Sequence, residues 1–510
     1  MKKTLVKENS YHDSVTLMSL SSKVLSMDGI LEAVVAMGTD MNKELLRNVG
    51  LATDESEAAG NNDLIIAVAA DDRDSYDEAI RRVEELLSSN RGDRTKGVEK
   101  EYRTIKEAID DVDANIAVIS VPGMYAAREA RIALENDLHV MLFSDNVGIE
   151  DERKLKELGR EKGLLVMGPD CGTASINNIG LCFANEVRQG NIGIIGASGT
   201  GMQEIMVQIH RHGGGISQAI GTGGRDLHKE IGGIMMIEGL KALSKDDDTE
   251  VIVLVSKPPA KEVEEKILRE VENTDKPVVI CFLDGNQEND SDKDVAFVHT
   301  LYDAARMAIE LSGIEGNMHE VVGDVFAKVM ESKKRFKGSQ TYFRGLYGGG
   351  TLCTEALSIT RGSFDGIRSN VAERNEEVLE DIHDYTGNIL LDLGEDEFTA
   401  GRPHPMIDPT LRNARIVEEA KDQEVGVILL DFVLGYGAHE DPVGITLKSI
   451  DEARDIAKAE GREIVFVAYI CGTDMDVQDY RKQRQILEKN EVIVADSNVE
   501  AVNMVIELLN

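Results

Sequence analysis

The sequence is poor in the residues that build small disulfide-bonded or metal-bound folds. Its 510 residues include 5 cysteines, 9 prolines and no tryptophan. The cysteines lie far apart and form no C-x-x-C pair, so we expect no disulfide scaffold, no metal site and a reducing compartment. No run of about 18 apolar residues is present and the N-terminus turns polar early, so we expect a cytoplasmic protein without a membrane span.

Positive charge is also scarce. The chain has 56 lysines and arginines against 93 aspartates and glutamates, which gives a formal net charge of -37. Such a surface repels nucleic-acid phosphates and anionic lipid headgroups, so we expect neither nucleic acid nor a membrane as a partner. An anionic substrate would need local groups that attract it.

Two common nucleotide-binding motifs are absent from the glycine-rich turns. These turns contain neither a G-x-x-x-x-G-K-[ST] loop nor a G-x-G-x-x-G fingerprint followed by a ribose-binding acid. The sequence therefore does not support a P-loop nucleotidase or a dehydrogenase.

Apolar runs rich in valine and isoleucine alternate with helical patterns along most of the chain. Runs such as DLIIAVAA, ANIAVISV and VIVLVS do not alternate with polar residues, which predicts parallel strands buried on both faces and a serial α/β architecture. Polar stretches interrupt this pattern at 88–103 and 333–340. We predict four domains, at 1–100, 101–185, 186–335 and 336–510.

The last two domains contain an internal repeat. NIGIIGASGTGMQEI (191–205) and FRGLYGGGTLCTEAL (343–357) share an apolar run, a small-Gly-Thr turn and a glutamate three residues later. A second, third and fourth apolar run follow each copy in the same order. Four strands in matching order predict a duplicated domain.

Each glycine-rich turn precedes a helical pattern, which places it at a helix N-terminus. The free N–H groups and the positive end of the helix dipole attract anions there, and glycine lets an anion approach the backbone. A tight connection between strand and helix is the alternative for either turn alone. The pair in a duplicated fold predicts one shared phosphate cradle, made of Ser198, Gly199, Thr200, Gly349, Gly350 and Thr351.

Several motifs resemble those of the FdrA proteins, relatives of the succinyl-CoA synthetase superfamily. GPDCGT (168–173) is similar to a turn of the synthetase α subunit, and residues 343–357 are similar to a helix start of the β subunit. Three further motifs resemble FdrA itself, namely GRPHPMIDP (401–409), DFVLGYGAHEDP (431–442) and YICGTDMDVQD (469–479). The resemblance covers most of the chain. It implies two flavodoxin-like ligase domains, preceded by a CoA-binding-like partial Rossmann domain and a small N-terminal α+β domain.

The sequence departs from the synthetase pattern at three points. His299 in DVAFVHTLYDAA has no glycine neighbours, unlike a phosphohistidine loop; no ATP-grasp segment occurs; and residues 101–135 lack a glycine-rich first turn. We therefore expect phosphate as a substrate and assign no cofactor, with CoA left as an open alternative.

The resemblance also implies a reaction. FdrA proteins are associated with anaerobic allantoin breakdown, as a subunit of an oxamate carbamoyltransferase that converts oxalurate and phosphate to oxamate and carbamoyl phosphate. This implies a hetero-oligomer with other subunits, or a homodimer. The alternatives are an acyl-CoA synthetase component that needs a separate ATP-grasp partner, and a non-catalytic scaffold that binds an anion.

Polar residues that follow the predicted strands are candidates for this chemistry. An arginine could clamp a carboxylate or phosphate, or form a salt bridge with a nearby acid. A histidine could protonate a leaving amide nitrogen or orient phosphate, with a structural role or metal binding as alternatives. The candidates are Arg225, Arg402, His404 and His439.

Two cysteines also lie in these motifs. Cys171 in GPDCGT and Cys353 in GGGTLCTE are candidate nucleophiles, although a packing role suits Cys353 inside its helix. Asp170 stands where the synthetase pattern has an amide, and a second anion there would repel phosphate. We interpret this exchange as a sign of a different acyl substrate.

Overall fold

A computed structural model describes the chain except residues 9, 11–13, 26, 28, 40–41, 44–45, 48, 93–101, 286–294, 315–322, 337, 384–385 and 400–401. The chain forms two compact units. The first contains Met1–Tyr102 and Glu395–Asp408, and the second contains Arg103–Gly394 and Pro409–Asn510.

The first unit is a small α/β layer. Its strands are β1 (Lys2–Lys7), β2 (Ile30–Met37) and β3 (Leu64–Ala70), and its first helices are α1 (Ser14–Leu25), α2 (Asp54–Ala58) and α3 (Arg73–Gly92). The sheet order is β1-β3-β2, and both pairs are antiparallel. The prediction of a parallel strand at DLIIAVAA is therefore wrong. This run is continuously apolar because β3 is the central strand and every one of its residues is buried.

The second unit begins with a small parallel sheet of order β4-β5-β6. Its strands are β4 (Ile116–Ile119), β5 (His139–Leu142) and β6 (Val166–Met167), and its helices are α4 (Ile105–Ile109), α5 (Gly123–Glu135) and α6 (Ile149–Lys162). Alanines of α5 pack against this sheet in one apolar cluster.

A seven-stranded sheet follows, with the order β13-β12-β11-β9-β10-β7-β8. Its strands are β7 (Thr173–Ile176), β8 (Ile179–Cys182), β9 (Gln189–Gly196), β10 (Ile216–Gly221), β11 (Val251–Ser256), β12 (Val278–Phe282) and β13 (Val295–Phe297). Its helices are α7 (Gly199–Arg211), α8 (Ile234–Lys245), α9 (Lys261–Val271) and α10 (Leu301–Leu311). The hairpin β7-β8 joins β10 in antiparallel fashion, and the strands from β9 to β13 are parallel.

The last sheet has six strands, in the order β15-β16-β14-β17-β18-β19. They are β14 (Tyr342–Tyr347), β15 (Arg368–Ser369), β16 (Ile389–Asp392), β17 (Val425–Val433), β18 (Val465–Cys471) and β19 (Ile493–Ala495). The helices of this part are α11 (Gly323–Lys333), α12 (Gly350–Thr360), α13 (Asp396–Thr399), α14 (Thr410–Glu419), α15 (Pro442–Ala459), α16 (Tyr480–Lys489) and α17 (Asn498–Leu509). Of these, α13 lies in the segment that belongs to the first unit.

The two large sheets repeat one topology, which confirms the predicted α/β fold with duplicated ligase-type domains. Counted from β9 and from β14, and omitting the short β15, both sheets have the flavodoxin-like order 2-1-3-4-5. Every residue of the central strands β11 and β17 is buried, which explains their unbroken apolar sequences. Parallel strands end at one edge of each sheet, and α7 and α12 begin at that edge. Within the described residues, every helix is too short or too polar to cross a bilayer.

Candidate functional site

The N-termini of α7 and α12 meet, which brings the six predicted cradle residues together. Ser198 caps α7, and its Oγ accepts a hydrogen bond of 3.0 Å from the Gly201 amide. The Ser198 hydroxyl is also hydrogen-bonded to the Thr351 hydroxyl. The Thr351 amide donates to Thr200 Oγ1 at 3.3 Å. The three hydroxyl groups therefore tie one helix end to the other.

Among the described residues, the groups left without a protein partner at the N-terminus of α7 are backbone amides. The amides of Gly199 and Thr200 open the first helical turn, where no earlier carbonyl of the helix is in register to accept from them. Within the described part of the chain, no protein acceptor is bonded to either amide. Two N–H groups and the positive end of the helix dipole thus point outward together at this end of α7, the arrangement that favours an anion.

The N-terminus of α12 is arranged differently. The amides of Gly348 and Gly349 donate to Asp431 Oδ1 and Oδ2, each at 2.7 Å. Asp431 is fully buried at the end of β17, and Arg412 Nη1 lies 3.4 Å from its Oδ1. A carboxyl group of the chain thus takes the place that an external anion would have. Sequence reasoning missed Asp431 because it stands inside the apolar run VILLDFV, where the only signal is one acidic residue in a buried strand.

A small cavity adjoins the free end of α7. It measures about 10 Å³, enough for one oxygen-sized group. The GPDCGT turn forms one wall and the start of α7 forms the other. The residues that line it are Asp170, Cys171, Gly172, Thr173, Gly196, Ala197, Ser198, Gly199, Met202, Gly221 and Gly223.

The two candidate cysteine nucleophiles are buried thiols. Burial raises the pKa of Cys171 to about 12, and it raises the pKa of Cys353 well above the usual value. The thiolate is the reactive form of cysteine, so neither side chain is activated at neutral pH. Packing accounts for Cys353, which is fully buried inside α12, whereas Cys171 is a buried thiol in the wall of the small cavity.

Arg225 forms an ion pair with an acidic side chain. The partner is Glu152 and not its sequence neighbour Asp226. Its Nη2 lies 2.8 Å from Glu152 Oε2 and donates to the Val147 carbonyl at 2.7 Å. Glu152 in turn belongs to a fully buried cluster, in which Lys156 Nζ lies 2.9 Å from both Glu152 Oε1 and Asp226 Oδ1. This cluster supports the turn after β10, which lines the small cavity. In the sequence Lys156 was indistinguishable from the solvated charges of its helix.

His439 lies in a loop that the second ligase-type domain extends towards this site. The loop packs on Phe183. A Cβ atom added at Gly437 would lie only 2.8 Å from the Phe183 ring. The same ring is close to Gly172, which lines the small cavity: a Cβ atom added at Gly172 would lie 3.6 Å from it. The His439 Nδ1 accepts from the Asp441 amide at 3.0 Å, so Nε2 carries the proton of the neutral ring.

Arg402 and His404 belong to the first unit. The Nδ1 of His404 accepts from the Met406 amide at 3.2 Å. Burial lowers the pKa of His404 to about 4, so the imidazole is uncharged at neutral pH. A neutral ring is a weak proton donor, which argues against His404 as the acid.

Two buried glutamates occupy matching positions of the paired helices. Glu204 in α7 accepts from the Tyr469 hydroxyl, and Glu355 in α12 accepts from the Leu301 amide at 2.7 Å and from Asn498 Nδ2 at 2.8 Å. Burial raises the pKa of Glu204, and together with the charge of Glu204 it raises the pKa of Glu355 to about 8. The pair therefore retains a proton at neutral pH.

This proton makes stability depend on pH. An ordinary glutamate titrates at 4.5, far below the folded value of about 8. The stabilisation that comes from this bound proton is thus fully present below about pH 4.5, and it is lost as the pH rises towards 8.

The free energy of unfolding of the unmodified chain should therefore fall between pH 5 and 8. We expect Glu355→Gln to make this fall smaller, by on the order of a few kcal/mol. Urea unfolding at several pH values measures this, with exposed Glu161→Gln as the control. Parallel profiles for Glu355→Gln and the unmodified chain would contradict it.

The fold and the paired helix ends define a protein of the succinyl-CoA synthetase-like class. Residues 346–508 match the family described as CoA-ligase, and residues 187–283 match the family described as CoA binding domain. Residues 1–104 match the family described as AllF, heavy metal-associated domain. The CoA-binding match lies in the range that we predicted as the first ligase-type domain, 186–335, and not in 101–185.

The chain belongs to the family of YahF of Escherichia coli (strain K12). The two are 48% identical over 500 residues, which cover 97% of this chain and 96% of YahF. The chain is also similar to the α subunit of succinate–CoA ligase (ADP-forming) from Staphylococcus epidermidis, with 29% identity over 182 residues that cover 35% of this chain and 59% of that subunit. Among solved structures, it is similar to a dinucleotide-forming acetyl-coenzyme A synthetase from Ca. Korarchaeum cryptofilum, with a TM-score of 0.30, 16% identity, and coverage of 80% and 84%.

The metal suggested by one of these family descriptions does not fit the residues present. Residues 1–104 contain no cysteine, and the described residues hold no group of three or more histidine, cysteine, aspartate or glutamate side chains placed for a metal. We therefore derive no step through a metal.

Proposed function

We propose that this chain transfers a carbamoyl group between an oxamate-type amide and phosphate, as a subunit of an oxamate carbamoyltransferase in anaerobic allantoin breakdown. The observation that carries the proposal is the mixed lining of the small cavity. The cavity of about 10 Å³ admits one phosphate oxygen, to which the Gly199 amide at the α7 end can donate, and the Asp170 carboxyl lines the same cavity. A carbamoyl NH₂ group is a donor that such a carboxyl accepts, whereas a simple acyl group has none.

The reaction needs only groups of the kind found here. A phosphate oxygen attacks the carbamoyl carbon, the bond from that carbon to the oxamate nitrogen breaks, and the nitrogen takes up one proton. The products are carbamoyl phosphate and oxamate. The α7 amides hold phosphate, and a fixed donor geometry lowers the barrier to attack. His439 is our candidate for the proton donor, because its loop packs on Phe183, which lies beside the cavity residue Gly172.

Binding of phosphate at α7 can be tested with a matched pair of variants. Gly172 lines the cavity and has room for a side chain, since an added Cβ would meet only Phe183 at an ordinary 3.6 Å. Gly172→Asp places a charge beside the phosphate, and we expect it to weaken phosphate binding at least tenfold, or about 1.4 kcal/mol. Gly172→Asn has nearly the same shape without the charge, and it should retain binding within about threefold. Calorimetric titration with inorganic phosphate measures both. Equal affinities for the two variants would exclude phosphate from this cavity.

A second candidate function is that of an acyl-CoA synthetase component. The matches of residues 187–283 and 346–508 to CoA-binding and CoA-ligase families favour it. It requires CoA binding, so a titration of the full chain with CoA separates the two functions. Saturable CoA binding that Gly172→Asp abolishes would favour the synthetase.

A further inference from the structure

A second, larger cavity lies between the two ligase-type domains. It measures about 240 Å³ and shares no residue with the cavity at α7. Pro258 and Asp284, which follow β11 and β12, form the wall of one domain. The wall of the other is formed by α12 and the segment after β15, namely Thr354, Leu357, Arg361, Val371, Glu373 and Arg374. Carboxyl ends of parallel strands are the usual location of ligands in such sheets.

One set of polar groups in this cavity is tied into internal hydrogen bonds. Arg361 donates to Glu377 from Nε at 2.7 Å and from Nη2 at 2.9 Å, and from Nη1 to Asp284 at 2.5 Å. The Ser358 hydroxyl also bonds Asp284. Such a network fixes the cavity wall and leaves these charges little capacity for a ligand.

The rim of this cavity has two charges that are not used in this way. Glu373 and Arg374 are exposed neighbours in the segment after β15. Within the described ranges of the chain, neither side chain has a hydrogen-bond or ion-pair partner. Leu357, Val371 and Pro258 add apolar surface to the lining of the cavity. An apolar lining with a few convergent polar groups is typical of small-molecule sites.

We propose that this cavity binds a small molecule that carries one carboxylate and one N–H donor group, with Arg374 on the carboxylate and Glu373 on the donor. Arginine binds a carboxylate through two parallel N–H bonds, and a glutamate accepts from ammonium or ureido groups. The volume of about 240 Å³ lies below the range of about 300–1,000 Å³ that suits drug-sized ligands, which indicates a compact ligand. Ureido acids and α-amino acids share this chemistry. The site is additional to the phosphate end of α7.

Calorimetric titration of the full chain in phosphate-free buffer tests the proposal. The probes are N-carbamoylglycine, glycine and succinate. We expect saturable binding of N-carbamoylglycine or glycine, weakened about tenfold or more by Arg374→Gln. Glu373→Gln should weaken the same probe and strengthen succinate, because it removes the charge that repels a second carboxylate. Arg269→Gln, at an exposed arginine of α9, is the control and should leave every affinity unchanged.

Two results would overturn the proposal: no saturable binding of either N–H-bearing probe, or affinities unchanged by both rim substitutions. All of these side chains are exposed, so loss of folding does not confuse the readout. The outcome is also separable from the phosphate site. Suppose that probe binding depends on Arg374 while Gly172→Asp leaves phosphate affinity unchanged. That combination would support a ligand site in this cavity and would contradict a phosphate site at α7.

Discussion

Replacing Lys156 by methionine should lower the free energy of unfolding by about 3–5 kcal/mol. The Lys156 ammonium lies 2.9 Å from Glu152 Oε1, Asp226 Oδ1 and the Thr222 carbonyl, and all three charged side chains are fully buried. Without the ammonium, two carboxyl groups are left in the interior with one partner fewer each. Removal of one member of a buried ion cluster is costly because the remaining charges stay desolvated.

The same helix supplies the matched control. Lys154 is exposed and pairs with Glu150 at 3.2 Å across one turn of α6. We expect Lys154→Met to change the free energy of unfolding by less than about 1 kcal/mol, since exposed ion pairs contribute little. Urea unfolding followed by circular dichroism measures both variants. Equal losses for Lys154→Met and Lys156→Met would contradict the buried cluster.

Replacing Asp431 by alanine should cost about 3–5 kcal/mol and create a new anion site. The substitution leaves the amides of Gly348 and Gly349 buried without an acceptor. An unsatisfied buried donor costs about 1–3 kcal/mol. Phosphate or sulfate can then occupy the vacated end of α12 and satisfy these amides. We therefore expect phosphate to raise the melting temperature of Asp431→Ala by more than it raises that of the unmodified chain.

A scanning calorimetry series with increasing phosphate measures this rescue. Asp431→Asn is the control, because its amide side chain still fills the space and accepts from one of the two backbone amides. The rescue should be absent or much smaller in this variant. A phosphate effect identical in all three proteins would show that the Asp431 side chain does not occupy an anion-binding end.

The duplicated fold can be predicted from the sequence because each copy of the repeat has the same local pattern of residues. Each copy carries the same series of apolar strands, and the turns before α7 and α12 have glycines where a helix begins. The meeting of the two helix ends follows from this symmetry. The antiparallel pairing of β3 does not follow, because burial on both faces gives the same apolar run in either type of sheet.

The details of the site depend on contacts between residues far apart in the chain. Asp431 and Gly349, which are hydrogen-bonded, are 82 positions apart in the sequence, and Lys156 and Asp226 are 70 positions apart. No local pattern distinguishes a carboxyl group that fills a helix end from one that faces solvent. For the same reason the hydroxyls of Ser198, Thr200 and Thr351 looked like ligand donors, although the structure uses them to join the helices.

The measurement that tests the account most directly is an assay of carbamoyl transfer. The chain, co-expressed with the proteins encoded beside it, is mixed with carbamoyl phosphate and oxamate, and both phosphate release and ureido product are measured. Parallel reactions contain ATP, CoA and succinate. We predict turnover with carbamoyl phosphate and oxamate alone, strongly reduced by Gly172→Asp and retained by Gly172→Asn. Turnover only with ATP and CoA would contradict the carbamoyl transfer proposed here and would favour the acyl-CoA synthetase function.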